Sequence, residues 1–561
     1  MPAWRTRLRW TANVASAAIL STIAVRADAA DFEVTADTAF QAYEVTGPWG
    51  DVVVDRRRFM QTIGLAAYNL QGAYEPGKAD YRVVMRLRLD GDFGINSQYA
   101  DTPGAGGETT YHTAAGDGVH YIPGLSEAPV DLMYGYVEGR NLANGLLGFR
   151  LGRQYITDVL GWWSFDGGLV RVTTPYFLQV ELYGGFEQRG GLPLSTSRFE
   201  QQGVWRGSHA DFGTADGQPS VSDYPSYLFT EPAPAFGFAI ESNGPSFIHG
   251  RFDYRRVYNT GEAITQQFPD PSAPNSSAPG GYKTIDGTRI SSDRLGYALD
   301  ANKSDLGGVK GGIAYDLYTQ NVTRWYAGAE GYLGSHVTLG ADYEYFWPTF
   351  DADSIWNWFT HSPVTTITGR ADIRFTKRFD MSLSGGSRTW SADGDPQTFG
   401  EGQCKAAGQP ANCYRSFYLD PSNPVFAATV GAYSRSDQNR DLSMSTDALG
   451  NLAARYRWGS GQVNLRGMFE TGARGHRVGA DVDGEKKLDG GRFTVGARTS
   501  LYDWEDPERE DRSATSFGYV LAGGFHPATS ADFRVEWEHD MNRLVGQRYR
   551  IVALLDVKVL R

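Results

Sequence analysis

Stretches of about ten residues in which apolar side chains alternate with ionic ones recur along this chain. A period of two is the signature of a β-strand, whose successive side chains point to opposite faces. In YRVVMRLRLD, Tyr81, Val83, Met85, Leu87 and Leu89 share one face while Arg82, Arg86, Arg88 and Asp90 share the other. In FLQVELYGGFE, Leu178, Val180, Leu182 and Phe186 oppose Gln179, Glu181, Tyr183 and Glu187. In SFIHGRFDYRRVY, Ile248, Phe252, Tyr254 and Tyr258 oppose His249, Arg251, Asp253 and Arg255. The same dyad sets Val337, Leu339, Ala341, Tyr343 and Tyr345 against His336, Thr338, Asp342 and Glu344. It sets Ile367, Ala371, Ile373 and Phe375 against Thr366, Arg370, Asp372 and Arg374, and Phe533, Val535 and Trp537 against Asp532, Arg534, Glu536 and Glu538.

A soluble β-sandwich shows the same period, with its apolar face turned inward. Strand length and number, together with the lack of a second domain signature, favour the inverse arrangement, with apolar side chains facing lipid and ionic ones facing a lumen. Beyond residue 29 no run of eighteen apolar residues occurs, which excludes a helical membrane protein by hydropathy and leaves a closed barrel as the spanning structure. Connections alternate in length, as in outer-membrane barrels. Short turns read at Thr376-Lys377, Gly459-Ser460-Gly461, Asp489-Gly490-Gly491 and Pro527-Ala528-Thr529, and long connections at about 91–130, 188–234, 258–292 and 391–423. The expected fold is all-β: a single large antiparallel up-and-down transmembrane β-barrel over residues 30–561, with an even strand number between 18 and 24 and long extracellular loops. A consistent up-and-down count asks for three strands in 424–458, with LSMST as the middle one, and leaves LVRVTT open to a loop. Trp162, Trp163, Trp347, Trp390, Trp458 and Trp504 fall near strand ends, where tryptophan anchors at lipid headgroups. The aromatic segment WPTFDADSIWNWFTHSP is expected to fold over the mouth or touch lipid.

Residues 1–29 read as an export signal: Arg5, Arg7 and Arg9 precede a small, apolar stretch from Ala12 to Val25, and Ala27-Asp28-Ala29 offers a cleavage site. A retained anchor helix is the competing reading. These residues hold four Arg and one Asp, so their removal takes the formal charge from −12 to −15. An acidic chain argues against nucleic acid as a partner. The cysteines, Cys404 and Cys413, suit a disulfide clipping a loop tip in an oxidising compartment better than a metal site, which would want further ligands.

The sequence contains no G-x-S-x-G, H-E-x-x-H or C-x-x-C motif. His539 and Asp540 are adjacent, and neighbours on a strand point to opposite faces. The segment DVDGE, Asp481 to Glu485, resembles the start of a calcium loop, but Arg492 stands where the closing glutamate belongs, so a turn is expected. Acidic loop residues such as Asp351, Asp353 and the run from Asp506 to Arg512 either bind divalent ions bridging lipopolysaccharide or are simply solvated. No metal and no cofactor is expected.

The segment GLLGFRLGRQYI, with Phe149, Arg150, Leu151 and the triplet Gly152 to Gln154, resembles the strands of bacterial porins. That resemblance implies that Arg150 and Gln154 line or rim a channel. The terminal GQRYRIVALLDVKVLR looks like a closing barrel strand, with Tyr549, Ile551, Ala553, Leu555, Val557 and Val559 on one face. Its last residues, Leu560-Arg561, depart from the aromatic ending of that family. In length the chain is similar to barrels proposed to accompany exopolysaccharide export.

Collectively, a lumen carrying both signs of charge supports hydrated solutes, and Arg82, Arg86 and Arg88 with Arg251 and Arg255 would face acidic ladders across it. The expected function is a pore or conduit in the outer membrane of a Gram-negative bacterium for hydrated polar solutes, an exported polysaccharide among them. Expected partners are outer-membrane lipid and lipopolysaccharide, with a periplasmic export or envelope protein as a further candidate. The rivals are a non-transporting scaffold, whose lumen charges neutralise one another, and a barrel enzyme acting on lipid.

Overall fold

A computed structural model describes residues 30–47, 50, 52–72, 74–92, 102–103, 109–110, 130–188, 233–244, 246–260, 264–267, 282–285, 287–318, 320–348, 363–390, 445–472, 475–505, 513–544 and 546–560. Twenty-two antiparallel strands form one ring. In chain order they are β1 (Asp31–Thr46), β2 (Val52–Tyr68), β3 (Asp80–Asp92), β4 (Val130–Asn141), β5 (Leu147–Asp158), β6 (Gly161–Thr173), β7 (Leu178–Glu187) and β8 (Pro234–Ser242). There follow β9 (Ile248–Asn259), β10 (Arg289–Lys303), β11 (Gly307–Asp316), β12 (Asn321–Leu333), β13 (Val337–Phe346), β14 (Val364–Arg374) and β15 (Phe379–Trp390). The ring is completed by β16 (Ser445–Trp458), β17 (Gly461–Gly472), β18 (Gly475–Leu488), β19 (Phe493–Glu505), β20 (Ser513–Ala528), β21 (Ala531–Asn542) and β22 (Gly546–Leu560). Each pairs with its predecessor, and β22 pairs with β1 from Glu33↔Leu560 to Thr46↔Gln547, so no edge remains at the join. Two small hairpins, 102–103 with 109–110 and 264–267 with 282–285, lie within connections and outside the ring.

The connections sort by end. Those at 93–129, 188–233, 260–288, 347–363 and 391–444 all leave the same rim, while the opposite rim carries short links such as 304–306, 334–336, 375–378 and 459–460. In an outer-membrane barrel the long set is extracellular. Among the described residues, 424–458 contributes one strand, β16, rather than three, and an even count closes without the other two. LVRVTT lies in β6, and DVDGE lies in β18 rather than in a turn. Its carboxylates take the strand's alternation instead of converging: Asp481 accepts hydrogen bonds from Tyr502 and Ser500, and Asp483 accepts one from Asn464 at 2.6 Å. The export signal and Cys404 and Cys413 lie outside the described residues, as does the segment after Pro348 as far as 362.

The two faces of the wall follow from the period of two. Val83, Leu89, Leu182, Phe186, Leu339, Ile367, Phe533, Trp537, Ile551 and Leu555 are exposed on one side. On the other, ion pairs join strands that are not neighbours: Arg86 of β3 with Asp37 of β1, Arg370 of β14 with Glu330 of β12, and Arg388 of β15 with Glu470 of β17. Side chains two strands apart converge only on the concave face of a curved wall, so the charged face is the interior. An apolar exterior around a closed ring is the arrangement a bilayer requires. The chain is a transmembrane barrel of the outer-membrane kind.

Candidate functional site

One hairpin leaves the wall. The pairing of β4 with β5 runs only from Gly139↔Phe149 to Gly135↔Arg153, although β5 continues to Asp158. On the far side, β6 pairs with β7 from Thr173↔Gln179 to Phe165↔Glu187, although β6 begins at Gly161. The distal part of the β5–β6 hairpin, roughly residues 154–164, therefore has neither wall neighbour. Its tip, Val159-Leu160, packs against Gly296 of β10, from which β7, β8 and β9 separate it along the ring. A tip held in the wall could not reach β10; this one crosses the interior.

A row of glycines marks the bend. Register places Gly152 opposite Gly167, and Gly167 opposite Gly185, on three consecutive strands. Gly152 adopts φ 130°, a backbone state that side chains with a Cβ rarely adopt. A Cβ on Gly167 would meet the Gly184 carbonyl and the Gly185 Cα (2.7 Å), so the backbones approach each other here more closely than side chains allow.

Folding inward turns the hairpin's interior face onto the wall it covers. Ile156, Trp163 and Phe165 are buried with Tyr183 of β7, Ala233, Ala235 of β8 and Val257 of β9. Trp163 stacks on Phe165 with centroids 4.4 Å apart, and both rings meet Tyr183. Burying two such rings contributes about 2–3 kcal/mol apiece, enough to hold a hairpin that has given up part of its ladder. Polar bonds fix the register: Trp163 Nε1 donates to Glu187 at 2.9 Å, Ser164 Oγ to Gln188 at 2.6 Å, and Gln154 Nε2 to the Gly167 carbonyl at 3.0 Å. Near the tip, Arg255 stands 3.7 Å from Asp158, donates to the Leu160 carbonyl at 3.3 Å and lies over the Trp163 ring at 5.1 Å. Guanidinium, carboxylate and indole thus clamp the tip to β9.

The charges expected to line the lumen fall into three groups. Gln154 of the hairpin and Asp253 and Arg255 of the wall beneath it are fully or almost fully buried, and there Arg251 bridges Glu181 (3.0 Å), Glu241 (2.7 Å) and Asp253 (2.8 Å). These are the hairpin's footing rather than open wall. A second group stands on the interior face: Arg82 and Arg150 on Glu138, Arg86 on Asp37, Asp342 on Lys310, Glu344 on Arg324, Arg370 on Glu330 and Asp372, Arg534 on Glu536, and Glu538 between Arg548 and Arg550. Arg88 is buried on β3. The third group lies at the short-link rim: His336 sits in the exposed turn before β13, its carbonyl accepting from the amide of Arg374, the last residue of β14. A turn residue has no strand to aim it into the barrel.

Between the hairpin tip and the wall next to β10 lies a cavity of about 620 Å³, bordered by Thr157, Asp158 and Val159 on one side and by Lys310, Arg324, Tyr326, Asp342 and Glu344 of β11 to β13 on the other. Both signs of charge meet there, each next to its opposite.

Trp163 is a lumen residue, not the headgroup anchor its position near a strand end suggested, because the strand end itself is inside the barrel. Trp347, Trp390, Trp458 and Trp504 sit at or beside the ends of β13, β15, β16 and β19, but Trp390 shares the interior face of Arg388 and donates to Asp447 at 3.2 Å, and Trp504 shares the face of Tyr502 opposite the exposed Leu501, so position at a strand end does not by itself make an anchor. His539 lies opposite Tyr519 and Tyr549 and stacks on the latter at 4.3 Å, whereas Asp540 turns the other way to Arg548. The pair shares no substrate.

Sequence reasoning overlooked the hairpin. Its trace is the glycine row, GLGRQ, FDGGL and YGGF, which pattern counting treats as gaps in strands.

In overall shape the chain is similar to solved outer-membrane porins. OpdK of Pseudomonas aeruginosa with vanillate matches at 8% identity and a TM-score of 0.37, covering 95% of this chain and 99% of that one. OccAB1 of Acinetobacter baumannii matches at 10% and 0.36, covering 95% and 96%, and OccAB4 of the same organism at 6% and 0.38, covering 95% and 98%. No protein-family model matches the sequence, and no curated protein matches it. At identities of 10% or less and TM-scores below 0.4, these likenesses carry no argument about this barrel, whose architecture rests on its own strand pairing.

Proposed function

We propose that the barrel is a pore for hydrated polar solutes, with the β5–β6 hairpin as its constriction and an exported polysaccharide among the solutes that fit it. The observation that carries this reading is the hairpin's course through the interior, which leaves a charged, water-accessible cavity between its tip and the wall of β11 to β13. Twenty-two strands about 4.8 Å apart and tilted about 40° enclose a cylinder about 40 Å across, too wide for side chains alone to fill. Arg82, Arg86, Arg150, Asp342, Glu344, Arg370, Asp372, Arg534, Glu536 and Glu538 are the wall's charged lining in this reading, with Glu181 in the footing of the hairpin, and the apolar exterior meets lipid and lipopolysaccharide.

A scaffold without transport is the second reading, favoured by the density of paired charges. Pairs that neutralise one another are what a sealed lumen needs. Planar-bilayer recording separates the two. Folded protein that gives discrete conductance steps supports the pore; folded protein that inserts and stays silent supports the scaffold.

A further inference from the structure

Four aromatic rings form a continuous track along the interior, and none belongs to the buried footing of the hairpin. Tyr136 and Tyr134 stand on the interior face of β4, opposite Val84 and Arg86 of β3. The track then passes to the hairpin, whose face opposite the footing carries Tyr155 and Trp162. Centroids follow one another at 6.2 Å from Tyr136 to Tyr134, 5.9 Å from Tyr134 to Tyr155, and 6.2 Å from Tyr155 to Trp162. Trp162 lies opposite Thr157, which borders the cavity between the hairpin tip and the wall of β11 to β13, so the track leads from β4 to that cavity. The rings are accessible: Tyr155 is 43% exposed and the other three are partly so.

Packing does not demand this arrangement. A lumen face needs polar or small side chains, and a ring left 43% open forgoes part of its burial energy. Polar partners flank the first ring: Arg150 lies 4.7 Å over Tyr136, and Arg150 and Arg82 both engage Glu138. Ring faces with paired guanidinium and carboxylate groups beside them match one ligand chemistry best. A pyranose presents a face of C–H groups to an aromatic ring and equatorial hydroxyls to charged donors and acceptors at its edge. A chain of such sugars repeats that presentation from ring to ring. An aromatic carboxylate would instead ask for a guanidinium not already engaged by an acid, and both arginines beside Tyr136 contact Glu138.

We infer that Tyr136, Tyr134, Tyr155 and Trp162 form a binding track for an oligosaccharide chain leading into the constriction. The inference deepens the pore reading by naming its solute class, yet binding to the track does not require conduction. The test uses the full barrel folded in detergent, titrated calorimetrically with maltohexaose, cellohexaose and vanillate, alongside current block by the same compounds in planar bilayers. One of the hexasaccharides binds in the millimolar range, and Tyr155→Ala or Trp162→Ala weakens it at least about tenfold, equivalent to about 1.4 kcal/mol. Tyr155→Phe keeps the affinity, because the ring face and not the hydroxyl is used. Trp458→Leu, at the far end of β16 outside the track, also leaves it unchanged. Should the alanine variants fail to fold, Trp162→Leu, which keeps an apolar filler but removes the ring face, gives the same readout.

The inference is overturned if neither sugar binds the wild-type barrel, if the ring variants bind as tightly as wild type, or if vanillate binds in the track and the sugars do not. A barrel that binds sugar and never conducts sinks the pore but keeps the track. A conducting barrel without sugar affinity does the reverse.

Discussion

Arg153 grips both carboxylate oxygens of Asp166, its partner across the β5–β6 hairpin, with Nε and Nη2 donating at 2.7 and 2.8 Å, and its remaining nitrogen donates to the Leu132 carbonyl of β4 at 2.8 Å. This contact lies at the last paired position of β4 and β5, just where the hairpin departs. It supplies a donor to a strand that has lost its neighbour, and so closes the seam with a side chain where a ladder would otherwise continue.

Replacing Arg153 by Ala should therefore loosen the seam. Removing a fork of charged hydrogen bonds costs about 1–3 kcal/mol, with the lower part of that range expected because Asp166 is half-exposed. The unfolding midpoint in urea falls accordingly, and open-channel current noise rises as the hairpin moves. Arg153→Lys recovers little, since an ammonium cannot fork. An Arg153→Ala barrel as stable and as quiet as wild type would show that the ladder alone secures the hairpin.

The contact between the tip and Gly296 gives a second expectation. A Cβ at Gly296 would run into the side chains of Val159 and Leu160, the latter at 2.9 Å, and approach the Ile313 carbonyl at 3.2 Å. Gly296→Val lifts the tip from the wall and into the lumen, so unit conductance falls. Unaltered conductance would place the current path elsewhere.

Charge reversal at the cavity tests which residues the current passes. Lys310→Glu with Arg324→Glu surrounds the constriction with carboxylates, because their partners are Asp342 and Glu344. The zero-current potential in a salt gradient then shifts toward cation preference. Arg82→Glu with Arg86→Glu, on β3 away from that cavity, shifts it less. Equal shifts would mean that the constriction does not set selectivity.

The two faces of a single strand give a stability contrast. Leu383 is exposed at the middle of β15 on the exterior, and its neighbour Ser384 faces inward, hydrogen-bonded by Asn451. Leu383→Arg costs about 2–4 kcal/mol in unfolding from lipid vesicles, the penalty for arginine near the bilayer midplane, while Ser384→Arg costs about 1 kcal/mol or less. Equal costs would contradict the assignment of faces.

Much of this barrel was legible because lipid and water impose opposite demands on alternate residues. Leu182 and Glu181, or Ile367 and Thr366, state their faces without any long-range information. Strand number was bounded less tightly, since a count made by alternation asked for three strands in 424–458, where the described residues hold one, β16. The hairpin escaped for a physical reason: residues 154–164 keep the alternation of their strands after leaving the wall, so Ile156 and Trp163 read as ordinary barrel positions. Whether an interior-facing side chain meets water or another wall depends on the register between glycines on three strands, which lie far apart in sequence. The same blindness made Gln154, Asp253 and Arg255 read as open lining, whereas they are buried between the hairpin and the wall it covers.

The glycine row has a consequence for how such a protein can change. Since the bend resides in backbone at Gly152, Gly167 and Gly185, the staves that seal the ring and the nozzle that narrows it are separate modules. If the barrel is a pore, as proposed, exchanging the residues beyond the hinge would re-bore its aperture while ring closure between β1 and β22 is left alone.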